Sequence, residues 1–268
     1  MKTFIFGLFL LLSFPFFNNV QGQIISFTVI DTFTTDSLKM IWKGYSIPKV
    51  VAPIKNDVVV YDIIYYTHWV DGKKIKASGL YFAPITNNSI PLLINNHGTR
   101  IKPKRSNAIR GENLICMIFA TDGYGVLAPD YIGLGHGEKK HLYCHADSEA
   151  EAGIDFMNII DGFNKDIGLK RNEQIFITGY SQGGHSAMAL HIKLQNEYLD
   201  TYPVTASSPM SGPYDLAETQ ASVMFEEYPQ PHYLPYLLIG MNGNYQGPGA
   251  RNTGMVRYSL RGNHRLKV

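Results

Sequence analysis

Gly179-Tyr180-Ser181-Gln182-Gly183 places a serine between two glycines, each two residues away, and this spacing suggests covalent chemistry. Gln174 to Thr178 before it read as a short apolar strand, and 182–198 after it as a helix. A serine between a strand and a helix sits on a sharp, strained turn that only small neighbours tolerate. The turn lifts the Ser181 hydroxyl clear of the sheet, with the helix start directly behind it. Unpaired N–H groups and a partial positive charge collect at that helix end, where a developing oxyanion would be stabilised. The bland alternative is a glycine-rich turn with an incidental serine.

Such a serine must be positioned by a sheet, and the sequence supplies one. Val58 to Trp69 and Lys74 to Phe82 are rich in Val, Ile and Tyr. Asp71-Gly72 between them predicts a two-residue hairpin turn joining an antiparallel pair at the sheet edge. Pro91 to Asn96 is a short buried strand ending in His97-Gly98-Thr99, 111–120 read as helix, and Gly125 to Ala128 as another buried strand closed by Pro129-Asp130. Ser148, with Glu151 three residues on, predicts a capping box. Ala152, Phe156, Ile159, Ile160 and Phe163 then keep helical spacing on one face. Tyr202 to Met210 read as one more strand. Alternating strands and helices predict an α/β fold with a mostly parallel sheet and flanking helices. From Ser211 the character changes: 225–241 carry aromatics and three prolines, like the start of a helical lid over an apolar acyl site.

The totals bound the rest. A chain of 268 residues with 45% hydrophobic content and a net charge of +2 suits one globular domain and gives no reason for a nucleic-acid partner. Lys2 followed by the apolar run Phe4 to Phe17 reads as a signal peptide over 1–22, cleaved after Val20-Gln21-Gly22. A retained N-terminal anchor is the weaker alternative. Expected organisation is therefore a leader (1–22), a hydrolase-sized domain (23–246, lid about 217–246) and a basic Gly/Arg-rich tail (247–268). Export, secreted or periplasmic, with no stable membrane span after cleavage follows from that leader. Export permits a Cys116–Cys144 disulfide, which the sequence leaves open along with the oligomeric state. Asn87-Asn88-Ser89 matches a glycosylation sequon.

The second chemical feature is the His97-Gly98-Thr99 loop. In this architecture one oxyanion donor is the N–H after the nucleophile, here Gln182, and the other comes from the loop after an earlier strand, which makes Thr99 N–H the expected partner. His97-Gly98, APDYIGLG (128–135), HLYCHAD (141–147), GYSQGGH (179–185) and SGPYDL (211–216) together resemble the secretory-lipase-like branch of the α/β-hydrolases. The resemblance covers most of the chain after the leader. It implies the α/β-hydrolase fold, hydrolysis of acylglycerols or other acyl esters by Ser181, a pocket flanked by His97, Gly98, Asp130, Tyr131 and Tyr180, and no cofactor. His136, His141, Cys144 and His145 match no standard zinc spacing, and the family's loop is structural, so no metal is expected. Asp130 reads as structural or substrate-orienting, and His185 as packing behind the serine. Gly133, Gly135 and Gly137 have the wrong spacing for dinucleotide binding.

A serine nucleophile needs a histidine base and an orienting carboxylate, here expected in the order Ser, acid, His. The last acidic residue is Glu227, inside the lid region, and only His232 and His264 follow it. The simplest expectation is a chain incomplete at its C-terminus, lacking the last strands with the acid and histidine, and so inactive. The internal alternative takes Asp215 as acid and His264 as base. Two other functions stay open: a serine peptidase of the same fold, and a non-catalytic binding protein that keeps the fold and the serine.

Overall fold

A computed structural model describes residues 23–48, 50–102, 109–223 and 230–242. The expected leader, the basic tail and the candidate base His264 lie outside them. Strands β1 (Ile24–Phe33), β2 (Val58–His68) and β3 (Lys74–Pro84) pair antiparallel in sequence order. Strand β3 then pairs antiparallel with β5 (Gly125–Pro129). Strand β5, β4 (Ser89–Asn96), β6 (Lys170–Tyr180) and β7 (Ala206–Met210) run parallel. The seven-stranded order is β1-β2-β3-β5-β4-β6-β7, so the sheet is mixed, with the Ser181 turn at the end of its parallel half.

Helices cover both faces, which explains why the central strands are apolar on both sides. On one face lie α1 (Thr35–Gly44) and α2 (Glu112–Asp122), with Leu38, Trp42, Met117 and Ala120 packed on Leu80, Phe82, Leu93 and Val126. On the other lie α3 (Ala146–Asp166) and α4 (Gln182–Glu197), with Phe156, Ile160 and Leu190 packed on Tyr65, Tyr81, Leu92, Ile94 and Ile177. Leu92 and Ile94 thus face one layer and Leu93 the other, as the two-residue strand period requires. Two elements, α5 (Thr219–Ser222) and α6 (Tyr233–Asn242), follow β7 where a helical lid was expected. No helix among the described residues is long and apolar enough to cross a membrane.

Several local expectations are corrected. The β2–β3 hairpin is not the sheet edge, because β1 pairs along β2. Its connection is Val70-Asp71-Gly72, closed by Gly72 N–H to Trp69 O (2.8 Å) and Trp69 N–H to Lys73 O (2.8 Å). Gly72 has φ 78°, the left-handed residue that a three-residue hairpin loop places at its end. Ser148 does not cap α3. His145 does, its side chain accepting from Ser148 N (3.2 Å), while Ser148 sits in the first turn with Oγ donating to His145 O (3.1 Å). Glu151 pairs instead with Lys193 on α4 (2.7 Å). The last strand begins at Ala206 rather than Tyr202, whose ring is buried and whose hydroxyl donates to Asn158 Oδ1 (2.8 Å).

Candidate active site

Ser181 lies between β6 and α4 with φ 59° and ψ −123°, a strained conformation for a residue with a side chain. Its backbone is fixed at both ends: Ser181 N–H donates to Met210 O on β7 (3.0 Å), and Ser181 O accepts from Gly184 N (2.9 Å). The flanking glycines are required by close approach. A Cβ on Gly179 would run into Gly183 O, and one on Gly183 into Asn96 O at the end of β4. The first N–H groups of a helix have no partner within it, so Gln182 N–H is open by position at the start of α4.

The loop after β4 lies against this turn. A Cβ on Gly98 would stand 3.4 Å from Tyr180 O and 3.9 Å from Ser181 Cβ, so the loop backbone and the serine are in contact distance. Glu112 at the start of α2 accepts from Gly98 N–H (2.5 Å), and Tyr131 donates to His97 O (2.7 Å). Thr99 Oγ1 meets the Tyr143 hydroxyl (2.9 Å). Arg100 pairs with buried Asp130 (3.0 Å), whose other oxygen accepts from Ser78 Oγ (2.8 Å). Asp130, Tyr131 and His97 are therefore buried supports of the loop, with the Tyr131 and His97 rings 4.2 Å apart. Tyr180 is exposed beside the turn.

Above Ser181 opens a cavity of about 440 Å³, lined among others by Tyr143, Cys144, Ser211, Leu216, Leu234 and Leu237. Three of its wall residues, Cys144 (φ 55°), Ser181 (φ 59°) and Ser211 (φ 50°), are non-glycine residues at positive φ. Backbone strain of this kind gathers at functional sites. Helix α6 roofs the cavity: Tyr236 stacks on Tyr143 (4.8 Å) and donates to Arg100 O (2.9 Å).

A buried polar cluster lies beneath. Glu149 Oε1 accepts from Gln182 Nε2 (2.7 Å) and from Cys144 N–H (3.1 Å), while Oε2 accepts from His185 Nδ1 (2.8 Å). His141 Nδ1 faces Ile132 O (3.0 Å), a carbonyl that can only accept, so Nδ1 carries the proton and Nε2 accepts the second Gln182 amide hydrogen (2.8 Å). Burial holds His141 below the usual imidazole range. Burial, reinforced by the Glu149 charge, pushes the Cys144 thiol well up, which keeps it protonated and unreactive. Cys144, Glu149 and His185 bring possible metal-ligand atoms within 4.8 Å of one another, but the Glu149 oxygens already serve these hydrogen bonds. Of the other residues weighed for a metal, His136 faces Asp62 (3.1 Å) and His145 caps α3.

The remaining sequence-predicted residues fall elsewhere. Asp215 is exposed, and its oxygens accept from Glu218 N (3.1 Å), Thr219 N (3.0 Å) and Thr219 Oγ1 (2.8 Å) ahead of α5. Those bonds hold its carboxyl below the usual range. Its partner in the expected pair, His264, is among the residues not described. His232 is exposed beside Tyr233. Cys116 and Cys144 are both free, buried thiols, and Cys144 lies in the cavity wall. Glu149 was missed, yet it shares the helical stripe of Ala152, Phe156 and Ile160, and a carboxylate on an apolar stripe is a signal in itself.

No protein-family model and no curated protein matches the chain. Solved structures do. A candidate hydrolase from Legionella pneumophila is 28% identical, with a TM-score of 0.73 over 82% of this chain and 60% of its own. A point variant of the rice cell-wall-degrading esterase LipA from Xanthomonas oryzae is 26% identical, with a TM-score of 0.76 over 85% of this chain and 61% of its own. Candida antarctica lipase A in its closed state shares the fold at 13% identity and a TM-score of 0.59, over 84% of this chain and half of its own. The chain thus spans about three fifths of the first two proteins. By its mixed seven-stranded sheet, its flanking helices and its likeness to these hydrolases, the chain has the α/β-hydrolase fold.

Proposed function

We propose that the protein is an exported serine hydrolase of carboxylic, acyl or lipid, esters, with Ser181 as nucleophile. The observation that carries this is Ser181 at φ 59° on the cavity floor, with the 97–99 loop packed against it. Ser181 Oγ attacks the ester carbonyl carbon, and the oxygen that becomes negative is received by the N–H groups of Gln182 and Thr99. The alcohol leaves with a proton, and water then attacks the acyl-enzyme to release the acid and restore the serine. The leaving alcohol needs a general acid–base. His264 is the candidate for that role, and Asp215, which spends its oxygens on capping contacts, is the weaker half of the pair. The apolar wall of Leu216, Leu234 and Leu237 suits an acyl chain. The apolar leader over 1–22 supports export.

Cleavage of p-nitrophenyl esters by the wild type, compared with Ser181→Ala and His264→Ala, tests the assignment. Ser181-dependent release of nitrophenol is expected; release that survives Ser181→Ala, or none from the wild type, rejects ester hydrolysis at this site. Loss in His264→Ala identifies the base.

A further inference from the structure

The floor of the cavity is anchored to α3 by one carboxylate. Glu149 comes from α3, not from the Ser181 turn or the 97–99 loop, and its side chain is fully buried. A buried carboxylate is tolerated only when donors surround it. Its donors here are three, two from the first turn of α4 and one from the cavity wall. Gln182 is the residue directly after Ser181, His185 lies one turn into α4, and Cys144 N–H belongs to the cavity wall. Oxygen Oε1 is shared between Gln182 and Cys144, so one atom ties the floor to the wall. Both ties hold strained backbone: Ser181 (φ 59°) precedes Gln182, and Cys144 has φ 55° itself. Such conformations persist only where the surroundings over-determine them.

One orientation of the Gln182 amide suits both neighbours, and it leaves the buried Oε1 without a hydrogen bond. Its amide hydrogens go to Glu149 Oε1 and His141 Nε2, both acceptors, and rotating the amide would aim its oxygen at a carboxylate. Fixing that side chain restrains the residue whose backbone N–H is the proposed oxyanion donor.

Building on the assignment of Ser181 and the Gln182 N–H to ester hydrolysis, we infer that Glu149 is a positioning residue: through the Gln182 side chain it aims the Gln182 backbone N–H at the oxyanion. A donor aimed where charge develops acts on the transition state and leaves ground-state binding almost untouched. The effect of losing Glu149 therefore belongs in kcat.

The test is steady-state ester hydrolysis by the full chain with Glu149→Gln, Glu149→Ala, Gln182→Met and the double variants, with an alkyl boronic acid as probe of the tetrahedral state. Expected is a fall in kcat of about tenfold to a hundredfold, below the full loss of an oxyanion donor, with KM within about twofold. Boronic acid affinity should fall in parallel with kcat. In the Gln182→Met background a Glu149 substitution should add little, because both act through one contact. Gln182→Met reads the same contact from the other side should the Glu149 variants fail to fold. Folded variants with unchanged kcat, a change confined to KM, or fully additive double variants overturn the inference. A wild type with no Ser181-dependent cleavage removes the function itself, and is told apart from an active wild type indifferent to Glu149.

Discussion

The floor and the roof of the cavity are built by different physics. The floor is polar and cross-linked: Ser181 is held by Met210 O and Gly184 N, Gln182 by Glu149 and His141, and the 97–99 loop by Glu112, Tyr131 and Tyr143. The roof is aromatic and apolar. Helix α6 rests on Tyr143 through Tyr233 and Tyr236 and meets the 97–100 loop through the Tyr236 hydroxyl. Hydrogen bonds in a buried network have fixed directions, and one lost partner leaves another group unsatisfied. Ring stacking and leucine contacts tolerate small shifts. Substitutions on the floor should therefore strike rate and folding together, whereas those on the roof should change what fits.

The largest contrast is expected from Gly183→Ala, which drives a methyl group into the Asn96 backbone and should cost about 3 kcal/mol or more. Thermal unfolding of that variant, or its failure to appear as folded protein, checks the floor's rigidity; a near-wild-type melting temperature would break the contrast. On the roof, Leu237→Ala should cost about 2 kcal/mol, the low end for a truncated core leucine. It should also shift kcat/KM toward longer acyl chains by about tenfold, the scale of a methylene or two in an apolar pocket. A p-nitrophenyl ester series of increasing chain length reads this directly.

A smaller effect sharpens the comparison through pH. Burial holds His145 and His141 below the usual imidazole value of 6.5. Both work as acceptors and must be neutral: His145 Nδ1 takes Ser148 N–H, and His141 Nε2 takes Gln182. In the unfolded chain they protonate as pH drops through 6.5, so the unfolded state binds more protons in that window. Their stabilisation is complete above 6.5 and is lost as pH falls through the depressed values. The melting temperature should be flat above neutrality and fall on acidification. His145→Asn keeps a capping side chain that does not titrate, so it should flatten the slope while changing stability by about 1 kcal/mol or less. An unchanged slope would show that His145 is not a source of the pH dependence.

Much of the floor's frame was legible in the sequence because its chemistry is local. Glycine, serine and glycine at fixed spacing, a β-rich run before them and helix formers after them announce β6, Ser181 and α4. Periodicity announced the apolar face of α3 in the same way. What escaped depends on partners distant in sequence. Strand β1 alternates poorly, its residues being mostly exposed, and only its pairing with β2 defines it. The α3 cap went to Ser148 by residue type, although a histidine three residues earlier holds the position with a ring nitrogen. Glu149 lies 33 residues from Gln182, so their contact is written only in the packing of α3 on α4. Asp215 was read from residue type and chain order alone, which do not reveal that its oxygens accept from Glu218 N and Thr219 N at the start of α5.

The central claim is that Ser181 is an activated nucleophile on the cavity floor. The most direct measurement is mass spectrometry of the chain after exposure to a fluorophosphonate, with peptide mapping of the adduct. One phosphonyl adduct on the peptide containing Ser181, absent in Ser181→Ala, is predicted. An unmodified chain, or an adduct on another residue that persists in Ser181→Ala, would contradict it.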